Sequence, residues 1–94
     1  MGTGKMKAVI FYETANVPME KIMEAYPRHK KLVDAFHAKG EVIAIGTWAN
    51  PMEGSMGVFA NRDAAERFVK EDPFVSEGIV AKATIRDWKE SLLG

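Results

Sequence analysis

The chain has 94 residues, 47% hydrophobic and 28% charged, with 13 basic side chains balanced by 13 acidic ones. One globular domain fits that size, and the absence of a net basic excess or a polybasic run argues against nucleic acid and membrane surfaces as partners. No cysteine is present, which rules out a disulfide framework, a thiolate nucleophile and a thiolate metal site, and fits a cytoplasmic protein.

Residues 1–5 (MGTGK) are small and polar and are expected to form a disordered leader or tag ahead of a single domain at 6–94. Their GTGK run lacks the glycine spacing and the preceding strand of a phosphate loop. The apolar run Ala8–Tyr12 is too short for a signal-peptide core or a membrane span. Met6–Tyr12 (MKAVIFY) is β-branched and aromatic and reads as the first strand. Glu13–Tyr26 opens with turn chemistry (TANVP) and has room for a short helical turn at Met19–Ala25. Pro27 suits the first position of a helix, where its missing N–H costs nothing. His29, Leu32, Val33 and Phe36 then fall at i, i+3, i+4 and i+7 on one helical face, and Gly40 supplies a left-handed cap.

Glu41–Trp48 (EVIAIGTW) is the second strand, 49–55 a loop marked by Asn-Pro and Gly-Ser, and Met56–Ala60 (MGVFA) the third strand. Asn61 is a good N-cap, and Ala64, Ala65, Phe68 and Val69 give the second helix its apolar face. Asp72-Pro73 stops it, because a residue before proline avoids the α region. Phe74–Gly78 reads as one short turn, Ile79–Trp88 as the fourth strand and Lys89–Gly94 as a tail.

The order βαββαβ predicts a ferredoxin-like α+β fold, a four-stranded antiparallel sheet with two helices on one face. Strand one presents Ala8, Ile10 and Tyr12 on one side and Val9 and Phe11 on the other; strand two presents Val42 and Ala44 against Ile43 and Ile45. Both sides are apolar, yet one helix layer covers only one of them. A homodimer through the helix-free sheet face is therefore expected.

Topology also gathers the end of strand one, the start of helix one, the 48–55 loop and the end of helix two at one edge. His29 and Asp72 meet there, with Tyr12, Tyr26, Trp48, Met52, Pro73 and Phe74 as candidate walls of a small-ligand pocket. Paired, Asp72 fixes the histidine tautomer and stabilises the imidazolium, leaving the other nitrogen as a general acid or base. A structural alternative stands beside this: His29 as a core-edge residue and Asp72 as the N-cap of the following turn. The cations Arg28, Lys30 and Lys31 are either the solvated side of the helix or a positive rim for an anionic substrate. His29 and His37 are eight residues apart, not the i, i+4 spacing of a helical metal pair, so neither metal nor cofactor is expected.

From Met6 to about Trp88 the chain resembles the YciI-like family. The shared features are the MKAVIFY strand, a Pro-x-His opening the helix (Pro27, His29), the helix–Gly–strand–Gly run Ala38–Gly46, and Asp72-Pro73-Phe74 followed by Gly78. The resemblance implies a fold of the dimeric α/β-barrel type with a His–Asp pair as active site, which position matching assigns to His29 and Asp72. The family is similar to dehydrochlorinases and muconolactone-isomerase-like proteins acting on small ring compounds. A lyase or isomerase is thus one expectation, and a non-catalytic ligand-binding or accessory module the other. Many relatives carry Gly-Pro after strand two, where this chain has Gly46-Thr47-Trp48, so no substrate carries over by analogy.

Overall fold

A computed structural model of the protein describes residues 6–91. The leader expected at 1–5 and the end of the tail at 92–94 lie outside the described residues. The strands are β1 (Lys7–Thr14), β2 (Val42–Thr47), β3 (Ser55–Phe59) and β4 (Val80–Trp88); the helices are α1 (Met19–Ala38), α2 (Arg62–Glu71) and a short α3 (Pro73–Ser76). All pairings are antiparallel, in the spatial order β2-β3-β1-β4. This is the ferredoxin-like arrangement expected from the element order.

One face of the sheet carries the core. Ala8, Ile10 and Tyr12 of β1 and Phe59 of β3 meet Phe36 of α1 and Ala64, Ala65 and Phe68 of α2, all buried. Phe36, Phe59 and Phe68 pack with centroids 5.0–6.5 Å apart, two of the three pairs edge to face, the geometry that the ring quadrupole favours. Several local signals act as expected. Asn61 accepts from the Ala64 N–H to cap α2. Gly40, at φ 72°, ends α1 in a Schellman motif: its N–H donates to His37 O, and the Glu41 N–H donates to Phe36 O.

Two expectations are corrected. Pro27 does not begin a helix but lies inside α1, which starts at Met19. The stripe Ile22, Ala25, His29, Leu32, Val33, Phe36 runs unbroken through it at helical spacing, and burying that stripe offsets the carbonyl of Met23 left without its helical donor. Pro27 itself sits on the exposed side. In β2, a register shift between Val42 and Ala44 makes Ile43 an extra residue. The bulge reverses the alternation beyond it. Ile45, opposite Gly57, therefore shares the helix-side face with Val42, whereas Ala44 pairs with Val58 on the open face.

Candidate functional site

Asp72 is fully buried, and both its carboxylate oxygens are engaged. It caps α3, Oδ1 accepting from the Phe74 N–H at 3.0 Å. The same oxygen lies 2.9 Å from His29 Nδ1, and Oδ2 accepts from the Tyr12 hydroxyl at 2.8 Å. Tyr12, His29 and the Phe74 N–H thus converge on one buried carboxylate. The capping role and the histidine contact, posed as alternatives by the sequence, coexist on one oxygen.

Each partner is held by a different element. His29 projects from α1 on the stripe that faces the core. Tyr12 comes from the last buried position of β1, directed to the same spot by strand alternation. Burial first, and then the Asp72 carboxylate, push the Tyr12 phenol far above the ordinary tyrosine range, so Tyr12 is a fixed donor at neutral pH. Phe74 stacks flat on the His29 imidazole, centroids 4.1 Å apart and planes within 3°. Gly78, at φ 78°, closes α3 behind it with Ile79 N–H donating to Phe74 O.

With Nδ1–H donated to the carboxylate, His29 carries its lone pair on Nε2. No described residue hydrogen-bonds Nε2, and His29 lines a cavity of about 430 Å3 between α1 and the edge strand β2. Ile22, Val33, Ile45 and Phe74 give it apolar walls, with Lys30 and Tyr26 at the α1 side and Thr47 and Ser55 at the sheet side. A small recess sharing Ile22, Thr47, Ser55 and Phe74 leads inward to Tyr12.

The sequence-derived candidates divide accordingly. His29, Tyr12 and the Phe74 N–H all meet Asp72, Phe74 stacks on His29, Pro73 supplies the first position of α3, and the half-exposed Tyr26 ring lies 6.1 Å from His29. Trp48 and Met52 are not among the residues lining the His29 cavity. Trp48 lines instead a depression with Ala44, Met56 and Val58 on the open face, where the β2 bulge sends it. Met52 lies in a 3-10 turn, Pro51–Glu53, closed by the Asn50 side chain. Ile45, Thr47 and Ser55 were not among the candidates: the side of Ile45 and Thr47 depends on the β2 bulge, which alternation alone does not reveal, and Ser55, the first residue of β3, was read as loop. Lys30 was legible only as part of a cationic run. Among the described residues no cluster of three or more His, Asp or Glu is placed to hold a metal ion, and no helix is long and apolar enough to cross a membrane.

Comparison with solved structures places this arrangement among known folds. The chain is similar to the 5-chloro-2-hydroxyhydroquinone dehydrochlorinase TftG of Burkholderia phenoliruptrix, solved in complex with 2,5-dihydroxybenzoquinone. The TM-score is 0.72 at 21% identity, covering 92% of this chain and 96% of that one. A conserved protein of Methanosarcina mazei matches with TM-score 0.56 at 14% identity, over 92% of both chains. A hypothetical protein of Arabidopsis thaliana matches with TM-score 0.53 at 19% identity, over 98% of this chain and 93% of its own. At these identities the likeness is one of fold. No curated protein matches the sequence. The YCII-related domain, however, matches residues 6–89, nearly the whole chain, and the protein belongs to that family.

Proposed function

We propose that the protein is a small enzyme of lyase or isomerase type, in which His29 moves a proton on a small organic ring substrate. The observation that carries this reading is the 2.9 Å contact between His29 Nδ1 and Asp72 Oδ1 in a histidine that also lines a cavity. Nε2 takes a proton from a substrate C–H or O–H, and the electron pair left behind shifts into the ring. The imidazolium then returns the proton at a second position in an isomerisation. In an elimination the shifted pair expels the leaving group, and His29 gives its proton to water. Asp72, buried and in contact with His29 Nδ1, orients the ring and stabilises the imidazolium. Tyr12 holds Asp72 in place, and Phe74 holds the imidazole plane. The cavity volume, about 430 Å3, is in the range of small-molecule sites. The structurally similar dehydrochlorinase, complexed with a quinone, supports a ring as the substrate class. The same reading takes the protein as a cytoplasmic homodimer joined through the helix-free sheet face.

The test is a pair of substitutions assayed on substituted hydroquinones and related ring compounds. His29→Ala is expected to lower turnover by about 10²–10⁴-fold, the range of general acid–base catalysis. Asp72→Asn keeps a cap for α3, since Asn caps almost as well as Asp, yet removes the charge behind His29. Turnover should fall there too, by less. An Asp72→Asn protein with normal folding and undiminished turnover would leave Asp72 only its capping role. A non-catalytic binding module would show ligand uptake without turnover in the unsubstituted protein.

A further inference from the structure

The cavity beside His29 has a sign. Among the described residues its ionisable lining consists of His29, Lys30 and Tyr26, with no carboxylate. Asp72 is buried behind His29 with both oxygens engaged. Although the protein as a whole has zero formal net charge, the residues lining this apolar slot are cationic or neutral.

The three cations of the 28–31 run have separate fates. Arg28 is clamped between Glu24 on its own helix and Glu77 at the end of α3. Lys31 is exposed and is not part of the cavity wall. Lys30 is in the wall, one residue from the imidazole. Its ammonium is held by Asp34, 2.7 Å away, one turn further along the exposed side of the helix. Hydrogen bonding to Asp34 keeps the Lys30 ammonium above the ordinary lysine range, so it is charged at neutral pH. Both side chains are more than half exposed, at 51% and 61%. A pair so placed is weak and exchanges readily. A ligand anion arriving in the slot can take the ammonium from Asp34.

We infer that the ligand is a small organic anion: an apolar body seated against Ile22, Val33 and Ile45, with a carboxylate or an equally acidic oxygen on Lys30 Nζ. This names the substrate class of the site proposed above and rests on that reading for the catalytic step, but not for binding. Asp34 acts as a built-in competitor that occupies Lys30 when the slot is empty. A neutral ring of the same shape gains the apolar contacts and forfeits the charge-assisted one.

Binding alone tests it, with benzoate and benzamide as matched charged and neutral probes, followed by NMR of the full-length protein at low ionic strength. Benzoate is expected to bind roughly three- to tenfold more tightly than benzamide, with that preference fading as salt is added. It should shift the resonances of Val33 and Ile45. Lys30→Met should erase the preference, Lys30→Arg should keep it, and Asp34→Asn should increase benzoate affinity. His29→Gln should retain the preference, separating Lys30 from the imidazolium as its source. Equal binding of the two probes overturns the inference. So does a preference that survives Lys30→Met or vanishes in His29→Gln, and so does the absence of any saturable benzoate response. Loss of the catalytic reading would appear elsewhere, as turnover that survives His29→Ala.

Discussion

At the scale of single residues, Tyr12 is where sequence and structure differ most usefully. Alternation put it at the end of β1, near the site, and its ring was read as a pocket wall. Its hydroxyl instead reaches Asp72 from the core side, a contact between residues 60 apart that no local pattern encodes. Tyr12→Phe leaves Asp72 Oδ2 buried without a partner, which should cost about 1–3 kcal/mol in urea unfolding. The pH dependence has a definite sign. The Tyr12 phenol is raised in the folded state, so its contribution is fully present below the unfolded tyrosine value of about 10 and is lost as pH rises from there toward the folded value. The urea midpoint of the unsubstituted protein should therefore fall more steeply above about pH 10 than that of Tyr12→Phe. Parallel curves for the two proteins would show that the phenol does not ionise on unfolding in that window.

Among the elements, the legible ones were those whose signals are local: the Asn61 cap, the Gly40 stop, the Asp72-Pro73 break and the order of the strands. What local signals could not give was continuity across Pro27 and the bulge at Ile43, both decided by burial against partners distant in sequence. The helical spacing from Ile22 to Phe36 was nevertheless a visible clue that one stripe crosses the proline. Pro27→Ala restores the N–H that can bond Met23 O. It should stabilise the protein by about 2 kcal/mol, the helix-interior penalty of about 3 less the unfolded-state entropy of up to about 1 that proline removes. A lowered melting temperature would mean that α1 depends on the proline for its path. Gly54 tests the other end of the site. It sits at φ 119°, and a Cβ there would fall 2.0 Å from the Tyr12 carbonyl oxygen. The overlap is with backbone of β1, which cannot give way as a flexible side-chain end could. Gly54→Ala should destabilise by at least about 2 kcal/mol, through left-handed strain and steric overlap together, as read by thermal unfolding.

For the molecule as a whole, the face of the sheet away from the helices is the unfinished part. Val9 and Phe11 of β1, Met56 and Val58 of β3 and Trp88 of β4 line a shallow apolar hollow of about 320 Å3 there, with Arg86 and Asp87 at its border. Trp48 and Trp88 are 41% and 42% exposed. Apolar side chains concentrated on two central strands and flanked by a charged margin have the layout of an interface core with its polar rim. A twofold axis through the hollow would set each copy's apolar side chains against the other's, and such an isologous contact needs no second partner. A stable interface of this kind buries roughly 1,200–2,000 Å2 in total, which a four-stranded face can supply. The chain is accordingly expected to sediment as a homodimer at micromolar concentration. Val58→Glu puts a charge at the middle of the hollow and, in the dimer, faces it with its symmetry mate. It should yield a monomer whose circular dichroism is unchanged, because Val58 points away from the helix-side core. Its melting temperature should also lose the concentration dependence expected of the unsubstituted protein. Should the unsubstituted chain sediment as a monomer with an unvarying melting temperature, the open face would need a different cover.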